Sequence, residues 1–437
     1  MKRAIGLWGA WALGVGTMIG NGVFMLPAVL APYGSTSLLG WIFAGLGTLS
    51  LAFVFGNLAK RLPLLGGPYA YARHGLGDLT GFLVGWGLWI SMWTGVAAGS
   101  LAFVGYFSVF FPLMHDSQNH AGIFISIFFI WLITFINVSG IKNASKFQLV
   151  STVLKLIPLI LIAAAGMAMG DFTTLPASNP NNEPLILLIA SMVMVTMWAF
   201  LGIETTTIPA SDIVEPNKTI PKALILAGLT TMVIYIFATF GVMALVPLNE
   251  LSHSSAPFAD AASVVFGTYG GVVIAIGAII SISGSLNGVV MATGQLPKAL
   301  AVDGLFPQIF AKSSQVGTPT FALLFSSSLA SILVMFNFSK GLMQAFEFVI
   351  LVSTLTALLP FALSVLSELV LQHKDKRSGN KIGFQKQVVT LAALGFSVFI
   401  VIGSGAEVVI SGVSLLILGL PIFFWQRNQK LKKSFST

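Results

Sequence analysis

The sequence has no cysteine among its 437 residues, which excludes disulfides, thiolate metal sites and a cysteine nucleophile. Acids are scarce, with 14 Asp and Glu, and there are five histidines. No His-Glu-x-x-His string occurs, and none of the G-x-x-x-x-G-K-[ST] type. The chain therefore offers neither a zinc-hydrolase helix nor a loop that grips the phosphates of ATP. Charged residues make up only 8%, against about 25% in an ordinary soluble domain. What is abundant is apolar: 56% of residues are hydrophobic, and 45 are glycine. A soluble chain of this composition would leave much apolar surface in water, so the soluble enzyme classes are excluded. Long polar stretches are missing too, the longest running from about Glu368 to Gln387, so no soluble domain is expected.

A helix needs about 20 apolar residues to cross a hydrocarbon core of roughly 30 Å. Twelve such runs are predicted, near 6–30, 36–59, 79–111, 122–140, 148–169, 185–209, 221–246, 269–297, 319–337, 342–366, 387–404 and 406–425. They lack the alternating polarity of a β-barrel. Of the 22 Lys and Arg, all but Lys155 and Lys340 fall at the termini or after the even-numbered spans. By the positive-inside rule both termini are expected in the cytoplasm of a bacterial inner-membrane protein. The net charge of +8 is then topology, and no nucleic-acid partner is expected; membrane lipids are. Residues 1–31 have the outline of a signal peptide, but their apolar run is about twice a normal h-region and reads as the first span.

Two spans are interrupted by glycine. Span 1 contains GVGTMIGNGVF, with Gly14, Gly16, Gly20 and Gly22, and span 6 contains TMWAFLGIETTTIP around Gly202. Glycine costs about 1 kcal/mol in a helix interior, so such clusters favour unwinding. Unwound backbone survives in a membrane only where it is buried in protein or lines a cavity. The breaks lie five spans apart, and five spans per half invert the second half against the first. That is the pattern of secondary transporters, whose substrate sits between discontinuous helices. The competing reading is that the glycines only let helices pack closely. The expected fold is thus all-α and membrane-embedded, a five-plus-five inverted repeat over 1–170 and 171–368 with two extra helices in 369–437.

At these residues the sequence resembles the amino acid–polyamine–organocation superfamily, and within it the basic amino acid/polyamine antiporters, especially the arginine/agmatine type. The matching stretches are GNGVFMLPA, GGPYAYAR, GYFSVFFP, WAFLGIET, SAPFADAA, GQLPKALAVDGLFPQIFAK and VIGSGAE, in order along the chain. The resemblance implies that Gly20, Asn21 and Gly22 hold a substrate carboxylate. It implies that the carbonyls of Met18, Trp198 and Leu201 accept from its ammonium. Trp198 would also act as a gate, Glu204 would be the buried acid below the site, and a homodimer is the assembly often found among such relatives. Positions that read a guanidinium in the arginine/agmatine type are Val96 and Val289 here, and a gating tyrosine is replaced by Phe361, although Ser353 is kept. Arginine favours aromatic faces and multiple acceptors, so a neutral amino acid is the expected substrate, with a basic amino acid or polyamine as the alternative.

Two ionisable residues lie inside spans. Lys155 would cost about 2.5–3.5 kcal/mol at mid-bilayer and should face the protein interior. In several relatives of the superfamily a span-5 lysine stands where sodium-coupled members hold the ion, so transport is expected to be independent of sodium and linked to protons. The other reading is a lysine that snorkels to the interface. Glu204 is read either as a proton site or as a structural anchor. Glu347 and Glu368 are read as interfacial, Asp260 and Glu407 as outer-loop residues, and Trp8, Trp41 and Trp425 as interface-belt residues. His115, His120 and His253 are too scattered for a metal site, and no cofactor is expected. Among functions, an alternating-access exchanger leads. A channel is disfavoured because channels repeat short subunits around an axis, and an enzyme because no reactive dyad is visible.

Overall fold

The computed structural model describes residues 5–62, 66–111, 121–139, 144–207, 210, 213–315, 317–337, 341–378 and 383–434. His115, His120, Lys142, Lys340 and Lys381 lie outside these residues, as do the side chains of Asn21, 144–151, 337 and 430–434. The described chain is helical apart from turns and two isolated bridges, Ile5 with Ile213 and Gly34 with Ala177. In order the helices are α1 (Leu7–Met18), α2 (Asn21–Leu30), α3 (Ser37–Arg61), α4 (Pro68–Leu76), α5 (Asp78–Phe107), α6 (Ala121–Val138), α7 (Ala144–Met169) and α8 (Leu185–Met197). There follow α9 (Pro216–Leu245), the single turn α10 (Leu248–Leu251), α11 (Pro257–Val302), α12 (Thr320–Asn337), α13 (Leu342–Arg377), α14 (Phe384–Ile402), α15 (Ala406–Ile417) and α16 (Leu420–Ser434).

Nine helices among the described residues are long and apolar enough to cross a bilayer. The pair α1–α2, bent by 44°, makes a tenth, and α8 and α12 are shorter apolar helices. Taken in chain order, these are the twelve segments expected from the sequence. Because helices of this kind are apolar all round, their outward faces are apolar as well: Phe124, Phe128, Val273 and Ile410 are exposed, which suits a surface solvated by lipid.

Several boundaries differ from expectation. α11 starts at Pro257 rather than near 269, because the SAPFADAA stretch is itself helical and joins the span through a kink at Gly267, whose φ is +69°. Only glycine takes such a conformation cheaply. Asp260 therefore sits in a first helical turn, where it accepts from the Ser254 hydroxyl. α13 runs on to Arg377, so the expected division at 368 falls inside a helix. Glu368 is fully buried in protein, 2.8 Å from Lys386 Nζ and 3.8 Å from Arg61. Trp41 is likewise buried, packed against Phe200 and Tyr235, while Trp8 and Trp425 are exposed.

Several basic residues near helix ends are paired. Arg61 meets Asp375 at 2.7 Å, and Arg73 meets both Asp78 and Asp303 at 2.8 Å. Tyr69 donates to Asp303 at 2.6 Å, joining α4 to the end of α11. At the centre, α5 packs on α11 and α13, and α1 packs on α7 and α9. α1 also meets the Ile203–Thr207 turn, whereas α2 meets α8 and the Trp198–Phe200 turn. The first half of span 1 thus faces the second half of span 6, and the reverse, as two antiparallel broken helices must.

Candidate functional site

The first break is short. α1 ends at Met18, Ile19 and Gly20 are non-helical, and α2 restarts at Asn21 with no side chain capping its N-terminus. A helix start leaves its first amides without intrahelical partners, so it presents donors and a partial positive charge. The second break is longer. α8 gives way to a tight turn at Trp198–Phe200, an extended Leu201, Gly202 at φ +108° and another tight turn at Ile203–Thr207. A side chain at Gly202 would be strained by the positive φ and crowded, its Cβ 3.0 Å from that of Thr17.

Two hydroxyls fasten the breaks to each other. Thr17 Oγ1 lies 2.9 Å from Gly202 O and 2.9 Å from Thr205 Oγ1. The Tyr235 hydroxyl, from α9, lies 2.7 Å from Met18 O and 3.0 Å from Ala199 O, and with one proton it donates to one or the other. Glu204 bends back to accept from the Gly202 amide at 2.9 Å and is 6% exposed. A buried acid with so few donors is costly to keep charged unless a cation joins it.

Between the breaks lies a cavity with about 80 Å³ open to the centre of a water molecule, enough for a handful of waters. Span 1 contributes Thr17, Met18 and Gly22, and the second break contributes Trp198, Ala199, Leu201, Gly202, Glu204 and Thr205. α5 adds Ser91, Met92 and Gly95, α11 adds Gly288, Val289 and Ala292, and α13 adds Ser353. One charged side chain, Glu204, stands among these lining residues. The Trp198 ring is fixed edge-on to Phe346, with its indole nitrogen 3.3 Å from Ser353 Oγ. Ser353 in turn donates to Ser91 O at 2.8 Å, so α5, α8 and α13 meet at the indole.

Of the residues singled out in the sequence, Met18, Gly22, Trp198, Leu201, Glu204, Val289 and Ser353 come together around this cavity. Gly20 lies beside it, packed against α11, and Asn21 opens α2, its side chain outside the described residues. Val96 is buried and does not line the cavity; the neighbouring Gly95 does. Phe361 is two helical turns from Ser353 and packs edge-on against Phe55 of α3, away from the cavity. Met18 O and Ala199 O are already approached by Tyr235, so an ammonium at this break would share those carbonyls with the phenol. Lys155 also lies outside the cavity. It is 1% exposed and donates to Gly16 O of α1 at 2.6 Å. Its ammonium turns into the protein at that carbonyl rather than snorkelling.

Sequence reasoning missed Thr17, Ser91, Met92, Gly95, Thr205, Ala292 and Tyr235. Ser91, Met92 and Gly95 share one helical face, but α5 is buried on most sides and no polar stripe marks that face. Tyr235 did leave a signal. It is a lone phenol in the apolar run TMVIYIFATF, and a buried hydroxyl needs a partner.

The sequence profile of the amino acid permease family matches residues 5–425. The chain belongs to that family. Among known permeases it is 30% identical over 429 residues to the arginine/ornithine antiporter of Pseudomonas aeruginosa, covering 94% of this chain and 88% of the relative. It is 31% identical over 326 residues to the cadaverine/lysine antiporter of Escherichia coli, covering 74% and 73%. It is 28% identical over 412 residues to the putrescine transporter of Haemophilus influenzae, covering 93% of each. This permease is therefore a multi-pass membrane protein similar throughout to amino acid and polyamine antiporters. The relatives give the expectation of a neutral substrate no support. Of the two valines behind that expectation, Val289 lines the cavity and Val96 does not.

Proposed function

We propose that this permease is a secondary exchanger of a basic amino acid against a second amino acid or a polyamine, working by alternating access. The observation that carries the reading is the polarity of the cavity: the first turn of α2 at one break and a single carboxylate, Glu204, at the other line the same space. The amides suit a substrate carboxylate, and Glu204 suits a cationic group, whose charge offsets the burial of the acid. Val289, with Gly288 and Ala292, leaves the α11 side of the cavity apolar, which favours an alkyl chain over a guanidinium. Lysine and ornithine, with their decarboxylated diamines, fit this better than arginine.

The two helix breaks packed against each other support alternating access, with α1 and the Ile203–Thr207 turn as the segments that move. Lys155 holds α1 through Gly16 as a fixed cation would, which supports transport without sodium, and this lysine and Glu204 are the proposed sites of proton linkage. Trp198 serves as the gate on one side of the cavity, and Phe361 closes against Phe55 on the other. The clustered basic residues support an inner-membrane orientation with both termini cytoplasmic. The test is flux in proteoliposomes preloaded with each of the twenty amino acids, agmatine, putrescine or cadaverine. Lysine or ornithine uptake accelerated by lysine, ornithine or a diamine on the far side is the expected result. Acceleration by neutral amino acids alone would overturn the substrate class, and flux indifferent to far-side substrate would overturn exchange.

A further inference from the structure

The start of α2 has a neighbour that neither break supplies. Ser285 of α11 is 2% exposed, and its hydroxyl has no hydrogen-bond partner among the described residues. Serine in a helix commonly returns its proton to a carbonyl three or four residues back. Ser283 donates to Ile279 O and Thr293 to Val290 O in this way, both at 2.7 Å, whereas Ser285 and Ser281, one turn before it, do not. Ser285 is instead turned against Gly20, the residue preceding α2. A Cβ built on Gly20 would collide with Ser285 Oγ and lie 2.5 Å from its Cβ. The serine side chain occupies the notch that this glycine leaves open. Gly22, one residue into the first turn of α2, lines the cavity, as do Gly288 and Val289, three and four residues along α11 from Ser285.

A buried hydroxyl without a partner is unfavourable, and its retention beside an uncapped helix start calls for an acceptor. We infer that Ser285 is a substrate-positioning residue whose hydroxyl donates to the substrate carboxylate at the start of α2, so that α11 distinguishes amino acids from their decarboxylated amines. This rests on the carboxylate site proposed above. An amino acid engages the α2 amides and Ser285 together, which draws α11 onto the first break. A diamine has no acceptor for that proton and leaves α11 unengaged. The two members of an exchange pair would then differ in the helix they recruit, although their cationic ends are alike.

The test compares L-lysine with cadaverine, and L-ornithine with putrescine, binding to purified full-length wild type and Ser285→Ala. A hydrogen bond to a charged acceptor gives an expected rise of about tenfold or more in Kd for each amino acid. The diamines should change by less than about twofold. Because the hydroxyl has no partner among the described residues, the alanine variant should melt at the wild-type temperature or slightly above it. Equal losses for both members of a pair, no loss for the amino acid, or a marked fall in Tm would each overturn the role of Ser285. If wild type binds each diamine as tightly as its amino acid, the carboxylate site fails, and the Ser285 proposal with it. If wild type favours the amino acids and the variant keeps that preference, only the Ser285 proposal fails.

Discussion

The two helix breaks are built from opposite materials. The first is made of glycine and amides: two residues interrupt the helix, which restarts at once with its N-terminus exposed to the site. The second is made of carbonyls, threonines and one acid, and after Gly202 the chain tightens into a turn rather than resuming an α-helix. The first break carries the positive end of a helix and the second the negative end of α8 plus Glu204. A molecule with a carboxylate at one point and an ammonium nearby matches that polarity in one orientation only. On the proposed function, the difference lets an apolar cavity lined by one charged side chain orient a charged substrate.

The largest expected effect falls on the glycine side. A Cβ at Gly22 would lie 3.1 Å from the Trp198 ring and 3.3 Å from Ala199 Cα. Gly22→Leu should therefore abolish binding of every substrate, and near-normal affinity by calorimetry would place the site elsewhere. On the acid side, Glu204→Gln keeps an acceptor for the Gly202 amide but loses the charge. Binding of lysine or ornithine should fall by at least tenfold while Tm holds. An unchanged Kd would reduce Glu204 to a structural anchor and end the comparison between the breaks.

Lys155 tests whether the first break is held from outside the site. Lys155→Ala removes the link to Gly16, so flux should fall by about tenfold or more while equilibrium binding changes little. Wild-type flux should be the same in sodium and choline buffers. A strict sodium requirement, or full flux in the alanine variant, would discard the cation-substitute role. The smallest effect is expected at Tyr235, which touches both breaks. Tyr235→Phe removes one hydroxyl and leaves two carbonyls that unwound neighbours can still reach. A loss of about 1 kcal/mol in stability and a few-fold change in exchange rate are expected. A rate unchanged with stability lowered would show that the phenol fastens the breaks without governing their movement.

Particular residues show what could be read without coordinates. Gly20, Gly22 and Gly202 announced both breaks because the cost of glycine in a helix is local. Met18, Trp198, Leu201 and Glu204 followed because they are chain neighbours of those breaks. Val96 misled, because its place in the sequence beside Gly95 says nothing of which one the helix turns inward. In a soluble helix a polar stripe would have settled that question. Here both lipid and protein interior are apolar, so α5 carries no such stripe.

By itself the sequence determined the membrane class, the order of the segments, the clustering of basic residues and the positions at which two helices fail. Each of these follows from transfer free energy or from backbone conformational cost, which act residue by residue. Tertiary structure alone decided that Ser91, Met92 and Gly95 rather than Val96 meet the cavity, and that Lys155 reaches Gly16 rather than the interface. It also decided that Tyr235 spans two carbonyls 181 residues apart in the chain and that Ser285 turns toward Gly20. These depend on how uniformly apolar helices rotate and approach one another. That is set by close packing and the few hydrogen bonds available between helices, and no periodicity in the sequence records it.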